Sequence, residues 1–396
     1  MTMSSKLNII LDFNNFAMRS LHTCQFMEPN VKIKNFDTKK ECDILIRKIT
    51  IDICRVIRTF TPNRVIVSCD SKQPWRNDLY KDIDGMEYKG TREKDEEKNW
   101  TNIFTALDDL RDIFKKNGFI VTYLDRTEAD DITTMWKEYL FDKGEDVILV
   151  SSDMDWVQLV GVHNNNVCLC YNPIANNTGK KRLYINSDIQ KWLDTEEKPD
   201  IFFNNYNKTR KVLKGVQLID PKISFELIDP DRVLLNKIMT GDLSDNVPAF
   251  FHYYRNGRKQ NVTELKAKHV FEALNIHNVD ELIDANNKML LKDALEKEMK
   301  RDIDVDFHER LTRQRKLVEL KSDLFPEDIV KKFTSTVIGT CDECMVNTSN
   351  IKMEDVLDGT KYLEPEEVRK NGRLNSIFDD IDSLSKFSSN SKALFE

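Results

Sequence analysis

Apolar positions in the first 150 residues follow two rhythms. Short runs of strand length, at residues 7–11, 64–69, 119–124 and 146–150, are rich in Ile, Val and Leu. Between them, residues 39–60 and 100–117 repeat apolar side chains at three- and four-residue spacing, as one face of a helix requires. Strand, helix, strand predicts an α/β fold with a central, mostly parallel, twisted sheet flanked by helices, and a helical region follows it toward the C-terminus. A further helix is expected to open at Thr127-Glu128-Ala129-Asp130-Asp131 and run to about Phe141, with Thr127 three residues before Asp130 in a capping-box-like arrangement. The run NVCLCY alternates with period two, which directs Cys168 and Cys170 to one sheet face.

The positions where the strand-like runs stop carry the chemistry. The first ends on Asp12, the second on Asp70, and the run at 146–150 leads through two serines to Asp153 and Asp155. In parallel α/β sheets ligands bind beyond the carboxyl ends of the strands, so these aspartates should converge on one edge. The helix opening with Glu128, Asp130 and Asp131 begins at the same edge. By themselves these three acids would only complement the helix dipole. Further on, Gly241-Asp242-Leu243-Ser244-Asp245-Asn246 reads alone as a turn or a helix cap. Nine carboxylates brought together would repel strongly, and hard divalent cations with oxygen ligands, Mg²⁺ or Mn²⁺, answer that repulsion.

Composition narrows the setting. A chain of 396 residues exceeds one ordinary core. The expected division is a catalytic α/β domain over 1–198, an insertion and helical nucleic-acid-binding region over 199–335, and a polar, partly disordered tail over 336–396. With 32% charged residues and no apolar run approaching about 18 residues, a membrane span is not expected. The N-terminus reads as an opening strand and not as a signal peptide, so a cytoplasmic protein is anticipated. Eight cysteines then read as reduced thiols, with Cys42, Cys54 and Cys69 as core residues. The C-x-x-C at Cys341 and Cys344, together with Cys168 and Cys170, leaves a four-thiolate zinc site as an alternative. The net charge of −7 argues against a simple basic nucleic-acid binder, but suits a carboxylate-rich metal site whose ions offset the charge.

The ordered motifs DFNN, CDSKQPWR, YKGTR, EADD, SSDMDWVQL and GDLSDNVP resemble the 5′ nuclease (5′-3′ exonuclease and flap endonuclease) superfamily, over roughly residues 7–248 with one long insertion. Within it the chain is most similar to the ribonuclease H branch of T-even phages, and ERLTRQRKLVELKSDLFPEDI extends the likeness. The resemblance implies a PIN-like sheet and two-metal hydrolysis of RNA primers and adjacent DNA. It assigns Asp12, Asp70, Glu128, Asp130, Asp153 and Asp155 to a first metal site, some through water, and Asp131, Asp242 and Asp245 to a second.

By the same resemblance, Arg76, Lys89 and Arg92 match basic residues that clamp the cut phosphate. Charge alone favours a solvated loop, because residues 76–98 hold eight acids against six bases. Tyr80, Tyr88 and Trp100 are candidates for stacking on unpaired bases, or are packing aromatics. Where the family has a glycine-rich hairpin, often with K⁺, this chain has AFFHYYRNGRKQN, which puts K⁺ binding in doubt. Arg255, Arg258, Lys259, Lys266 and Lys268 remain candidates for duplex phosphates. The implied partners are DNA and RNA–DNA duplexes with 5′ ends or flaps, a single-strand-binding protein, and a sliding clamp reached through the final Ser-Lys-Ala-Leu-Phe-Glu. Rival readings are a PIN-type single-strand endoribonuclease and a non-catalytic nucleic-acid structure-binding subunit.

Overall fold

The computed structural model describes residues 7–24, 33–80, 87–90, 95–163, 166–194, 213, 221–255, 258–303 and 306–335, without the side chains of 252–259. β1 (Leu7–Asp12), β2 (Arg64–Cys69), β3 (Ile120–Tyr123) and β4 (Asp146–Val150) form the parallel heart of the sheet, in the order β3-β2-β1-β4. Two helices, α1 (Phe13–Thr23) and α2 (Lys39–Phe60), connect β1 to β2, and α3 (Trp100–Lys116) leads from β2 to β3. α4 (Ala129–Asp142) connects β3 to β4. Every residue of β1 and β4 is buried, as strands covered by helices on both faces require.

The sheet then widens and loses its uniform direction. β5 (Gly161–His163) pairs antiparallel with β6 (Asn166–Asn172), which lies parallel to β4. β7 (Lys181–Ile185) pairs antiparallel with β6, α5 spans Ser187–Asp194, and β8 (Ile223–Leu227) closes this edge parallel to β7. Among its described residues, the stretch from 173 to 228 thus contributes two strands to the main sheet. Cys168 and Cys170 are buried in β6. Burial pushes the thiols of Cys54, Cys69 and Cys168 up to about 12, so they are inert core side chains. Among the described residues no thiol group has metal-ligand spacing; Cys341 and Cys344 lie outside them.

A second apolar cluster is built from α6 (Pro230–Thr240), α7 (Glu264–Leu274), α8 (Val279–Asn287), α9 (Leu290–Met299) and α10 (Phe307–Val318). A two-stranded hairpin, β9 (His252–Arg255) and β10 (Arg258–Asn261), precedes α7. β8 belongs to the main sheet, and Leu320, Phe325 and two residues of α11 (Glu327–Phe333), Ile329 and Phe333, return to the sheet's own core. Among the described residues no helix is long and apolar enough to cross a membrane.

Candidate metal centre

Each strand-end acid is held by its own local geometry. Asp12 terminates β1 and caps α1, accepting from the Asn15 N–H at 3.0 Å and from the Ser151 hydroxyl at 2.7 Å. Asp70 follows β2 and accepts from the Ala129 N–H at 2.7 Å, which pins the start of α4 to the neighbouring strand end. Asp130 accepts from the Trp156 indole at 2.6 Å. Asp153 caps the 3-10 turn Met154–Leu159 and is exposed. All these donors are neutral. Burial, then the charges of Asp70 and Asp153, raise the Asp12 carboxyl to about 7. Burial, Asp153 and Glu128 likewise hold Asp130 well above the carboxylate range. Unbalanced negative charge is what a bound cation would relieve.

The other acids already hold counter-ions. Asp155, Asp242 and Asp245 each offer an oxygen within 4.8 Å of the others, the tightest acidic trio among the described residues. Asp242 and Asp245 converge through the turn after α6. Gly241 takes φ of +74°, and a Cβ there would stand 2.4 Å from the Val247 carbonyl, so the turn demands glycine. Asp242 and Val247 exchange backbone hydrogen bonds at 3.0 and 2.7 Å across it. The ammonium of Lys237, on α6, bridges Asp155 and Asp242. Burial opposes charge on Asp242, but Lys237 and Ser244 prevail and lower its carboxyl to about 2.

Lys89 plays the equivalent part between Glu128 and Asp245. Its turn is fastened to the last acidic motif: the Lys89 N–H donates to the Asp245 carbonyl at 2.9 Å, and Tyr88 donates to Glu128 at 3.0 Å and to Asp245 at 3.2 Å. Burial works against charge on Glu128, yet Lys89 and Arg76 outweigh it and hold the carboxyl below its ordinary range.

Several expectations change on this geometry. Asp131 is 0% exposed, and its oxygens accept from Trp75, Arg76 and the Glu128 N–H, so it faces into the protein away from the acidic trio. Arg76 is only 2% exposed, and its guanidinium holds Glu128 at 3.0 Å and Asp131 at 2.7 Å. The capping box belongs to Glu128 and Asp131, while the Thr127 hydroxyl donates back to the Leu124 carbonyl. Tyr80 is buried with its hydroxyl on the Asn246 carbonyl, and the Trp100 indole donates to the Asp95 carbonyl, so both serve packing.

Arg92 lies outside the described residues, as do the side chains of Arg255, Arg258 and Lys259; the backbones of those three form the β9–β10 hairpin. Lys266 and Lys268 lie on α7, and Lys268 pairs with Glu272 at 3.6 Å. Lys237 was not anticipated. A lysine on an amphipathic helix carries no signal of its own, although its place five residues before Asp242 puts it about one helical turn from that acid.

Residues 8–191 match the model of the 5′-3′ exonuclease N-terminal resolvase-like domain. The match takes in just under half of the chain, from the start of β1 into α5, and covers the strand-end acids Asp12, Asp70, Asp130 and Asp153. The fold is shared with solved structures from bacteriophage T5. The D15 protein co-crystallised with metal ions superposes with a TM-score of 0.51 at 17% identity, covering 86% of this chain and 100% of that one. A D15 flap endonuclease in a pseudo-enzyme–product complex with DNA and metal ions gives 0.51 at 17% identity, over 85% and 100%. The T5 5′-exonuclease with bound zinc gives 0.51 at 17% identity, over 84% and 99%. The exonuclease domain ends at residue 191, but the structural likeness runs on into the helical region that carries Asp242 and Asp245.

Proposed function

We propose that this nuclease uses two Mg²⁺ ions, replaceable by Mn²⁺, to cut phosphodiesters at 5′ ends and flaps, including RNA primers and adjacent DNA in the manner of a ribonuclease H. The observation that carries the reading is the pairing of a 5′-3′ exonuclease domain with a rim of carboxylates in two electrostatically distinct halves. The donor set suits hard ions: all candidate ligands are carboxylate oxygens. Asp12, Asp70, Asp130 and Asp153 would hold one ion, and Asp155, Asp242 and Asp245 the other. Bound there, two ions supply an activated water and neutralise charge on the scissile phosphate.

The protein's own groups do the rest. Neutral donors orient Asp12 and Asp130 without cancelling their charge, and the Ala129 N–H orients Asp70. Glu128 is held by Arg76 and Tyr88 and in turn holds Lys89 at the mouth of the site. Released from Glu128 and Asp245, Lys89 would meet a phosphate oxygen, with Arg92 three residues further along the sequence. The β9–β10 hairpin, with Lys266 and Lys268 beyond it, would grip the duplex backbone in place of the family's glycine-rich hairpin, without a K⁺ ion. The tail after residue 335 is the proposed reach toward a sliding clamp, with a single-strand-binding protein as a second replication partner in the cytoplasm.

The deciding experiment is digestion of end-labelled RNA–DNA hybrids and 5′-flap duplexes with and without Mg²⁺. Short 5′ products and cuts at the flap junction are expected only with the metal. Cleavage of single-stranded RNA without regard to any junction would replace this reading with that of a PIN-type endoribonuclease.

A further inference from the structure

Behind the acidic rim, side chains from two separate motifs grip one short stretch of main chain. Arg76 Nε donates to the Leu317 carbonyl at 3.1 Å, and Gln158 Nε2 donates to the Val318 carbonyl at 3.0 Å. Gln158 Oε1 accepts from the Leu320 N–H at 3.3 Å. Leu317 and Val318 end α10, where helical carbonyls lack partners within the helix, so these donors satisfy groups that otherwise need water. A guanidinium at a helix C-terminus is also favoured by the helix dipole. The Arg76 guanidinium also lies 4.7 and 5.9 Å from the ring centroids of Trp75 and Phe325, which pack on each other at 6.0 Å.

What makes this more than packing is what else the two side chains hold. Arg76 carries Glu128 and Asp131 at the start of α4. Gln158 sits on the 3-10 turn capped by Asp153, one turn after Asp155, and Trp156 of that turn donates to Asp130. A single stretch, residues 317–320, is therefore joined to both halves of the acidic rim, through different side chains.

We propose that the C-terminal end of α10 is a positioning brace for the metal centre, with Gln158 and Arg76 as its positioning residues. Arg76 fixes Glu128, and through it Lys89. Gln158 fixes the turn that presents Asp153 and Asp155. The brace rests on the two-metal reading above, and it explains why the acidic rim belongs to a chain that continues past Asp245 and folds back on the sheet.

The test is Mn²⁺ titration followed by electron paramagnetic resonance, with flap cleavage measured in parallel, on the full chain and on Gln158→Leu, Gln158→Glu and Arg76→Lys. Gln158→Leu removes both bonds at nearly constant size. Gln158→Glu keeps the acceptor for Leu320 and loses the donor to Val318. Arg76→Lys keeps the charge but not the fork that reaches Leu317. The expected result is Mn²⁺ affinity and kcat lowered about tenfold in Gln158→Leu, the scale of losing an outer support of metal ligands, with KM for the flap unchanged. Gln158→Glu should lie between it and the parent. Should Gln158→Leu not fold, the same order of Mn²⁺ affinities in Gln158→Glu and Arg76→Lys carries the test. Mn²⁺ affinity equal to that of the parent in every folded variant overturns the brace. A parent chain that binds Mn²⁺ but cuts no 5′-ended substrate refutes the proposed function instead, and leaves the brace to the affinities.

Discussion

The two halves of the acidic rim solve the same electrostatic problem in opposite ways. Asp12, Asp70 and Asp130 are oriented by a serine hydroxyl, backbone N–H groups and an indole, none of which bears charge. Asp155, Asp242, Asp245 and Glu128 are instead neutralised by the ammonium groups of Lys237 and Lys89. The carboxyls of Asp12 and Asp130 are correspondingly pushed up, and Asp242 in the second half is pulled down to about 2. The strand-end half is thus incomplete without a cation. The turn half is closed by internal ones, which a metal or a substrate phosphate must displace. Ion binding should be stepwise, with the strand-end half filling first.

The largest expected effect breaks the strand-end half. Asp130→Asn should lower Mg²⁺-dependent cleavage by roughly 10³-fold or more, with duplex binding retained in a filter or anisotropy assay. Full activity in this variant would remove Asp130 from the metal set. Next is the charge at the mouth: Lys89→Ala should slow single-turnover cleavage by roughly 10²-fold while changing substrate affinity much less, as expected for a donor acting on developing phosphate charge. Equal losses in rate and binding would make Lys89 a docking residue.

The pH dependence of the metal-free protein sharpens the contrast. Asp12 titrates near 7 in the fold and at its ordinary value of 3.8 when unfolded, so between those values the native state binds the extra proton. Stability from this group therefore increases as pH falls from about 8 toward 5, by roughly 1–3 kcal/mol. Calorimetry in chelator should show a higher Tm at pH 5.5 than at pH 8, and saturating Mg²⁺ should abolish or reverse the trend. A flat or opposite profile in chelator would contradict the strained strand-end half. The smallest effect concerns the internal cation: Lys237→Gln should tighten the second, weaker Mn²⁺ step several-fold by removing its competitor, while the first step stays fixed. If both steps move together, the halves are not independent.

How much of this was readable beforehand depends on the kind of signal. Asp12, Asp70 and Asp153 were legible because an apolar run that stops on an acid marks a strand's end, and parallel strands present their ends together. The burial of Arg76 was not legible, for a physical reason. An arginine in a polar, charge-rich stretch looks solvated, and only the carbonyl of Leu317, 241 positions away, shows that it is enclosed. Asp131 and Asp130 are chemically equal neighbours in the chain. They diverge because successive helix positions point about 100° apart, one toward the rim and one toward Trp75 and Arg76. Gln158 and Lys237 carried no signal, since their partners come from other elements.

The sequence by itself determined the local events: which runs become strands, where an acid terminates each, and that the chain turns at 241–246. These depend on neighbours within a few residues, where periodicity and backbone sterics act. Which carboxylates receive a lysine was decided only when α6, the turn at Lys89 and the end of α10 packed against the sheet. Charge pairing acts over a few ångströms in space and is indifferent to distance along the chain.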